Sequence, residues 1–192
     1  DIKYRITAGP MGRSSMRNDS LNWDDLRALR KLWPHRLLVK GLLHPQDAMT
    51  AADCGADGVI VSNHGGRNLD TAISPIEALP EVVDAVGKRV AVLVDSGFRR
   101  GTDVIKALAM GAQAVMIGRS TLYGVAAGGE AGARRAISIF RGEIDRVIAL
   151  LGCTSIAELS TEYLQAPDFP LRATDAVRPG LKLLDTARAA ER

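Results

Sequence analysis

A parallel α/β fold arranged as a barrel is what this sequence predicts, and three observations predict it. Short apolar segments recur through the middle of the chain, each followed by a stretch with helical spacing. The apolar segments are nearly uninterrupted, as in strands covered by helices rather than strands with one wet face. Polar residues stand where each segment ends: Lys40, Ser62 with His64, Asp95 with Arg99, and Arg119. Barrels and doubly wound sheets both gather ligands at strand C-termini. Signals from successive strand ends, instead of one crevice, favour the barrel.

Each element has its own signature. Leu26 to Trp33 has helical spacing and stops at Pro34. Arg36 to Lys40 is strand-like and is expected to end at Gly41. Pro45 to Cys54 reads as a helix, with Gly55 just beyond its end. Asp57 to Val61 is a buried strand. Pro75 to Val86 is helical, with Ser74 and Pro75 suited to its first turn. Arg89 to Val94 is a second fully apolar strand, and Thr102 to Met110 a helix closed by Gly111. Ala112 to Ile117 is the fourth strand. A helical region follows from about Thr121 to Leu151, interrupted near Gly128 and Gly129.

Composition narrows the class. A chain of 192 residues can bury one substantial core, and 46% hydrophobic with 24% charged residues fits an ordinary α/β protein. The net charge of +3 is small and its basic residues are scattered, which argues against nucleic acid as a partner. No apolar run approaches the roughly 20 residues that span a bilayer. Asp1-Ile-Lys-Tyr-Arg5 lacks the apolar core of a signal peptide. Cys54 and Cys153 stand alone in helix-like contexts, as buried thiols of a reducing, cytoplasmic compartment do. His35, His44 and His64 have no ligand spacing, so no metal site is expected. The chain opens without a Met on a polar, Arg-rich stretch and reads as one entered in mid-protein.

Ser62-Asn-His-Gly-Gly-Arg67 carries the chemistry. His64 can exchange a proton near neutral pH. Arg67 offers a planar fork to a carboxylate. Gly65 and Gly66 clear side chains from the space around them. At the next two strand ends, Asp95-Ser-Gly-Phe-Arg-Arg-Gly101 and Ile117-Gly-Arg-Ser120 suit a phosphate. There Gly97 and Gly118 allow backbone N–H groups to approach, while Arg99 and Arg119 add charge-assisted bonds. No Rossmann or Walker pattern competes for that role.

With Lys40, Ser62 to Arg67, Asp95 to Arg99 and Gly118-Arg119 in this order, the chain resembles the FMN-dependent α-hydroxy-acid dehydrogenase/oxidase family from about Leu21 to Gln165. The stretches Trp23 to His35 and Asp95 to Gly101 look most like its mandelate-oxidising members. Asn68 stands where glutamine is usual.

The resemblance implies a TIM (β/α)8 barrel, of which this chain would hold strands five to eight. It implies oxidation of a 2-hydroxy acid, mandelate-like or lactate-like, to the 2-keto acid. His64 would be the catalytic base and, with Arg67, would bind the substrate. The cofactor would be FMN, with Lys40 near the flavin edge where reduction gathers negative charge and Ser62 also in contact. Asp95, Ser96, Gly97, Phe98, Arg99, Gly118 and Arg119 would hold its ribityl chain and phosphate.

Residues 1–20 would be a mobile loop, in some members a membrane contact. Residues 21–165 would be the C-terminal half of the barrel, and 166–192 an irregular tail with a short helix. The missing N-terminal half, on the same polypeptide or a separate chain, would be a partner, and a homo-oligomer is expected. Two competing readings are another FMN barrel, such as an IMP dehydrogenase-like enzyme or a type 2 isopentenyl-diphosphate isomerase, and a non-catalytic half barrel that binds flavin or phosphate. The isomerase has no need of a carboxylate anchor beside a base.

Overall fold

A computed structural model describes residues 21–165; the expected loop over 1–20 and tail over 166–192 lie outside the described residues. The element order is α1 (Trp23–Leu32), β1 (Leu38–Leu42), α2 (Pro45–Asp53), β2 (Gly58–Val61), α3 (Pro75–Val86), β3 (Ala91–Val94), α4 (Gly101–Ala109), β4 (Ala114–Val115) and α5 (Arg119–Leu150). Strands pair in parallel in the order β1-β2-β3-β4. That order decides between the two architectures. A doubly wound sheet reverses its order at a switch point, whereas sequential neighbours form the arc of a barrel.

Alternation along the strands separates two faces. Val59, Val61, Val92 and Val94 are buried against the helices, where Leu79 and Val82 of α3 meet them. Each such side chain contributes roughly 1.5–3 kcal/mol on burial. Register places Lys40, Ile60 and Leu93 side by side on the other face, the concave side of the arc. That face is incompletely covered: Leu38 is 40% exposed and Met116 39%.

Several boundaries differ from expectation for physical reasons. α1 begins at Trp23, before the expected Leu26, because Asn22 caps it and Asp25 bonds back. β1 runs through Gly41 instead of stopping there, because the register skips from Lys40↔Ile60 to Leu42↔Val61 and leaves Gly41 as the extra residue of a bulge. β4 shrinks to Ala114–Val115, since an edge strand has a ladder on one side only. Main-chain bonds from Gln113 and Met116 to Val92 and Val94 continue the pairing just beyond it. α5 starts at Arg119, two residues early, because the Gly118 carbonyl already accepts from Thr121 and Leu122. Its expected interruption lies at Gly128 and Gly129, whose backbones leave helical geometry. The two arms fold together there, so closely that a methyl on Gly124 would lie 2.5 Å from the Gly132 carbonyl oxygen.

At the foot of β2, Asp57 accepts from the Leu37 amide at 2.8 Å and from Arg30 at 2.9 Å, with Arg36 at 3.4 Å. The Leu37 bond foremost, then the two guanidinium groups, outweigh burial and hold its carboxyl below the usual range. Arg30 also reaches the main-chain carbonyls of Trp33, His35 and Gly55. This cluster ties α1 and the entry to β1 onto the N-terminal end of the sheet. Cys54 and Cys153 are both free and buried.

Candidate active site

The loop after β2 is shaped by its own side chains. Asn63 Oδ1 accepts from the Gly65 amide at 3.0 Å and the Gly66 amide at 3.2 Å, bending the chain into one tight turn. Ser62 is fully buried, and its Oγ accepts from the His64 amide at 3.1 Å. His64 is thereby held at φ 57, and Ser96 on the next strand end has φ 73. Non-glycine residues seldom occupy this left-handed region, and those that do concentrate at functional sites.

A cation sits behind that turn. Lys40 Nζ lies 2.5 Å from Asp95 Oδ2 and donates to Ser62 Oγ at 2.6 Å. Ser96 Oγ donates to Asp95 Oδ1 at 2.8 Å and accepts from the Gly65 amide at 3.0 Å. Burial pushes the Asp95 carboxyl upward, but hydrogen bonds from Lys40, Ser62 and Ser96 prevail and hold it below the usual range. The Lys40 and Asp95 side chains are 36% and 18% exposed, so the charged atoms face a partly dry cleft.

The remaining wall comes from the last two strand ends. Gly118 caps α5 without any side-chain cap, so the first amides of that helix are open to an anion. Methyl groups on Gly97 or Gly118 would meet nothing within 4 Å, which leaves room over both backbones. Arg119 crosses to the His64 loop and donates to the Gly65 carbonyl at 2.7 Å. Ser120 Oγ donates to the Phe98 carbonyl at 2.9 Å and ties the two phosphate-type loops together.

These residues line one cleft of about 680 Å³, within the range of small-molecule sites. It brings together Lys40, His64, Arg67, Asp95, Ser96, Gly97, Phe98, Arg99, Gly118 and Arg119. Ser62 lies beneath it, and the Phe98 ring is mostly sunk in the core. Lys40, Arg67, Arg99 and Arg119 face the single carboxylate of Asp95 across the lining, so the cleft favours anions. Sequence reasoning missed Met116 and Tyr123, and it gave Asn63 and Ser120, inside the motifs, no role of their own. Tyr123 follows Arg119 by one helical turn and shares its face, a spacing that could have flagged it.

Comparison with known proteins covers the span that holds these residues. (S)-Mandelate dehydrogenase of Pseudomonas putida is 58% identical over 146 residues, which cover 76% of this chain and 37% of the relative. L-lactate oxidase of Nostoc is 50% identical over 147 residues, covering 77% and 40%. The crystal structure of the monotopic membrane protein (S)-mandelate dehydrogenase superposes with a TM-score of 0.76 at 56% identity, covering 79% of this chain and 40% of that one. The chain thus spans about two fifths of the length of the curated relatives it matches. A family model described as FMN-dependent dehydrogenase matches residues 5–166, a span that includes every strand end, the His64 turn and both glycine-arginine loops. On these grounds the chain, with its parallel arc and the cleft at its strand ends, belongs to the FMN-dependent dehydrogenase family.

Proposed function

We propose that this chain carries the flavin-binding and base-bearing side of an enzyme that oxidises a 2-hydroxy acid to the 2-keto acid. The observation that carries the reading is the placement of His64 and Arg67 on one rigid turn that opens into a cationic cleft. The residues present fit FMN. Open backbone at Gly97 and Gly118, an uncapped helix start, and the arginines Arg99 and Arg119 suit a phosphate. Lys40 supplies fixed positive charge on the concave face. Bound there, FMN would supply two-electron redox chemistry that side chains cannot.

The chain's own residues do the rest. Arg67 fixes the substrate carboxylate through a two-pronged pair, which orients the α-carbon toward the cleft. His64 takes a proton from the substrate at an imidazole nitrogen, a general-base contribution of roughly 10²–10⁴-fold. The Asn63 turn keeps the base and the anchor in register while the substrate changes. Similarity to a mandelate dehydrogenase and an L-lactate oxidase supports a substrate with a carboxylate next to a secondary alcohol.

The half-covered concave face supports a companion proposal: the first half of a barrel closes over Leu38, Leu93 and Met116. Among the described residues no helix is long and apolar enough to cross a membrane. Likeness to a monotopic membrane protein supports a peripheral position at a membrane surface.

The test is anaerobic stopped-flow reduction, by (S)-mandelate and L-lactate, of the FMN-loaded protein, meaning this chain together with the first half of the barrel. His64→Ala should keep its flavin but slow reduction at least about 10²-fold. Reduction at the unaltered rate would remove His64 from the reaction and the reading with it.

A further inference from the structure

Gly41 touches the base in a way that its backbone role does not require. It is the extra residue of the β1 bulge, with φ +103, in the region that favours glycine. Conformation alone would account for a glycine there. The surroundings add a separate constraint. A methyl group built on Gly41 would lie 2.7 Å from His64 Nε2, 3.3 Å from Cε1 and 3.8 Å from Cδ2. Favourable contacts of this type need about 3.5–4.0 Å. The imidazole therefore occupies the space that any side chain at position 41 would fill.

His64 cannot yield by moving its backbone. Its amide is bonded to buried Ser62, the Asn63 carboxamide fixes the two residues after it, and Arg119 holds the Gly65 carbonyl. Only rotation of the side chain could relieve the contact, and rotation carries the ring nitrogens away from where they stand. We propose that Gly41 is a positioning residue for the reaction: the absence of its side chain is the seat of the His64 imidazole. The inference rests on the reading of His64 as the base.

The bulge gives the seat its place. Lys40 points to the concave side in register with Ile60, while Leu42 pairs with Val61 on the helix-covered side. The residue between them has no partner, so its α-carbon is free to meet the loop of the next strand. One insertion thus aims the Lys40 cation and makes room for the base beside it.

The experiment is a double-mutant cycle on the FMN-loaded protein, reading thermal stability and reduction by (S)-mandelate. Gly41→Ala should lower Tm, partly through its positive φ and partly through the ring. In the His64→Ala background the same substitution should cost less than half as many degrees, because the ring is gone. Gly41→Ala should also slow flavin reduction about 10²-fold, the cost of displacing a reacting group by about 1 Å. KM for mandelate should change less than about 3-fold, since Arg67 and its carboxylate contact are untouched.

A purely conformational glycine predicts otherwise: equal loss of Tm in both backgrounds, or failure of both proteins to fold. Either result would overturn the inference, as would a KM that rises in step with the fall in rate. A protein that folds only when His64 is also replaced would support it. The cycle separates the two claims. If His64→Ala reduces flavin normally, the functional reading falls, while the loss of Tm still reports whether residues 41 and 64 compete for one space.

Discussion

Lys40 reaches past a neighbouring strand to Asp95. Its Nζ lies 2.5 Å from Oδ2, although β1 and β3 are separated in the sheet by β2. Ser62, at the end of β2, accepts from the same Nζ at 2.6 Å. One cation therefore fastens three strand ends together below the cleft, and the Ser96 hydroxyl extends the bond to the turn that carries His64.

This pair gives stability a definite pH dependence. The Asp95 carboxyl is held below its ordinary value of 3.8 in the folded protein. A depressed carboxylate stabilises the fold above its unfolded value and loses that contribution as pH falls through the folded one. The Lys40 bond should therefore act in full at neutral pH and weaken below 3.8. Asp95→Asn should lower stability at pH 7 by about 1–3 kcal/mol, toward the low end because Lys40 is partly exposed. It should also make the acid limb shallower. Denaturation by urea between pH 3 and pH 7 measures both, and an unchanged acid slope would assign that slope to other carboxylates.

Phosphate and carboxylate anchors should separate by mutation. Replacing Arg99 and Arg119 together should release flavin on gel filtration, because both line the wall where Gly97 and Gly118 leave the backbone open. Arg67→Ala should stay yellow and show a raised KM for mandelate instead. A yellow double variant with a colourless Arg67→Ala would exchange the two roles.

Residues 1–192 expressed alone should aggregate or bind little flavin. Among the described residues β1 and β4 are open edges of a parallel sheet, and the concave face between them is half exposed. Co-expression with the first barrel half of a family relative should restore solubility and colour. Sedimentation together with the flavin-to-protein absorbance ratio decides. A soluble, flavin-loaded monomer would count against the need for a covering half.

His44 is an uncommon residue for the start of a helix. Its Nδ1 accepts from the Gln46 amide at 3.2 Å and so caps α2. Asparagine is a stronger cap, and α1 already uses Asn22 with Asp25 three residues on as a reciprocal pair. His44→Asn would place the same spacing ahead of Asp47. Stability should rise by about 0.5–1 kcal/mol, read as a Tm higher by roughly 1–4 °C. A lower Tm would mean that the imidazole does more there than cap.

What the sequence disclosed follows from the range of each interaction. Local period and turn chemistry placed every strand and helix, and α3 matches residue for residue because Ser74, Pro75 and the apolar stripe are all local signals. The β1 bulge was not legible. Gly41 looks like a terminator when only its neighbours along the chain are known, and its real constraint is a ring on the next strand's loop. Lys40 was legible as a strand-end cation, but its counter-ion depended on which strand lay two places away. The motif after β3 suggests Asp95 as a cofactor contact; in the fold its bonds run to Lys40 and Ser96. The arginines illustrate the same limit, since Arg119 meets a carbonyl of the His64 loop that no spacing along the chain announces.

The four residues of β2 separate a structural foot from the rim of the cleft. Its foot is Asp57, bonded to Arg30, Arg36 and the Leu37 amide, and its head is the turn that bears His64 and Arg67. Substitutions at the head leave the bonds of the foot intact, so the rim of the cleft can change without first loosening the sheet. Laboratory evolution of this chain should accordingly accumulate its accepted changes around the rim and almost none at Asp57 or Arg30.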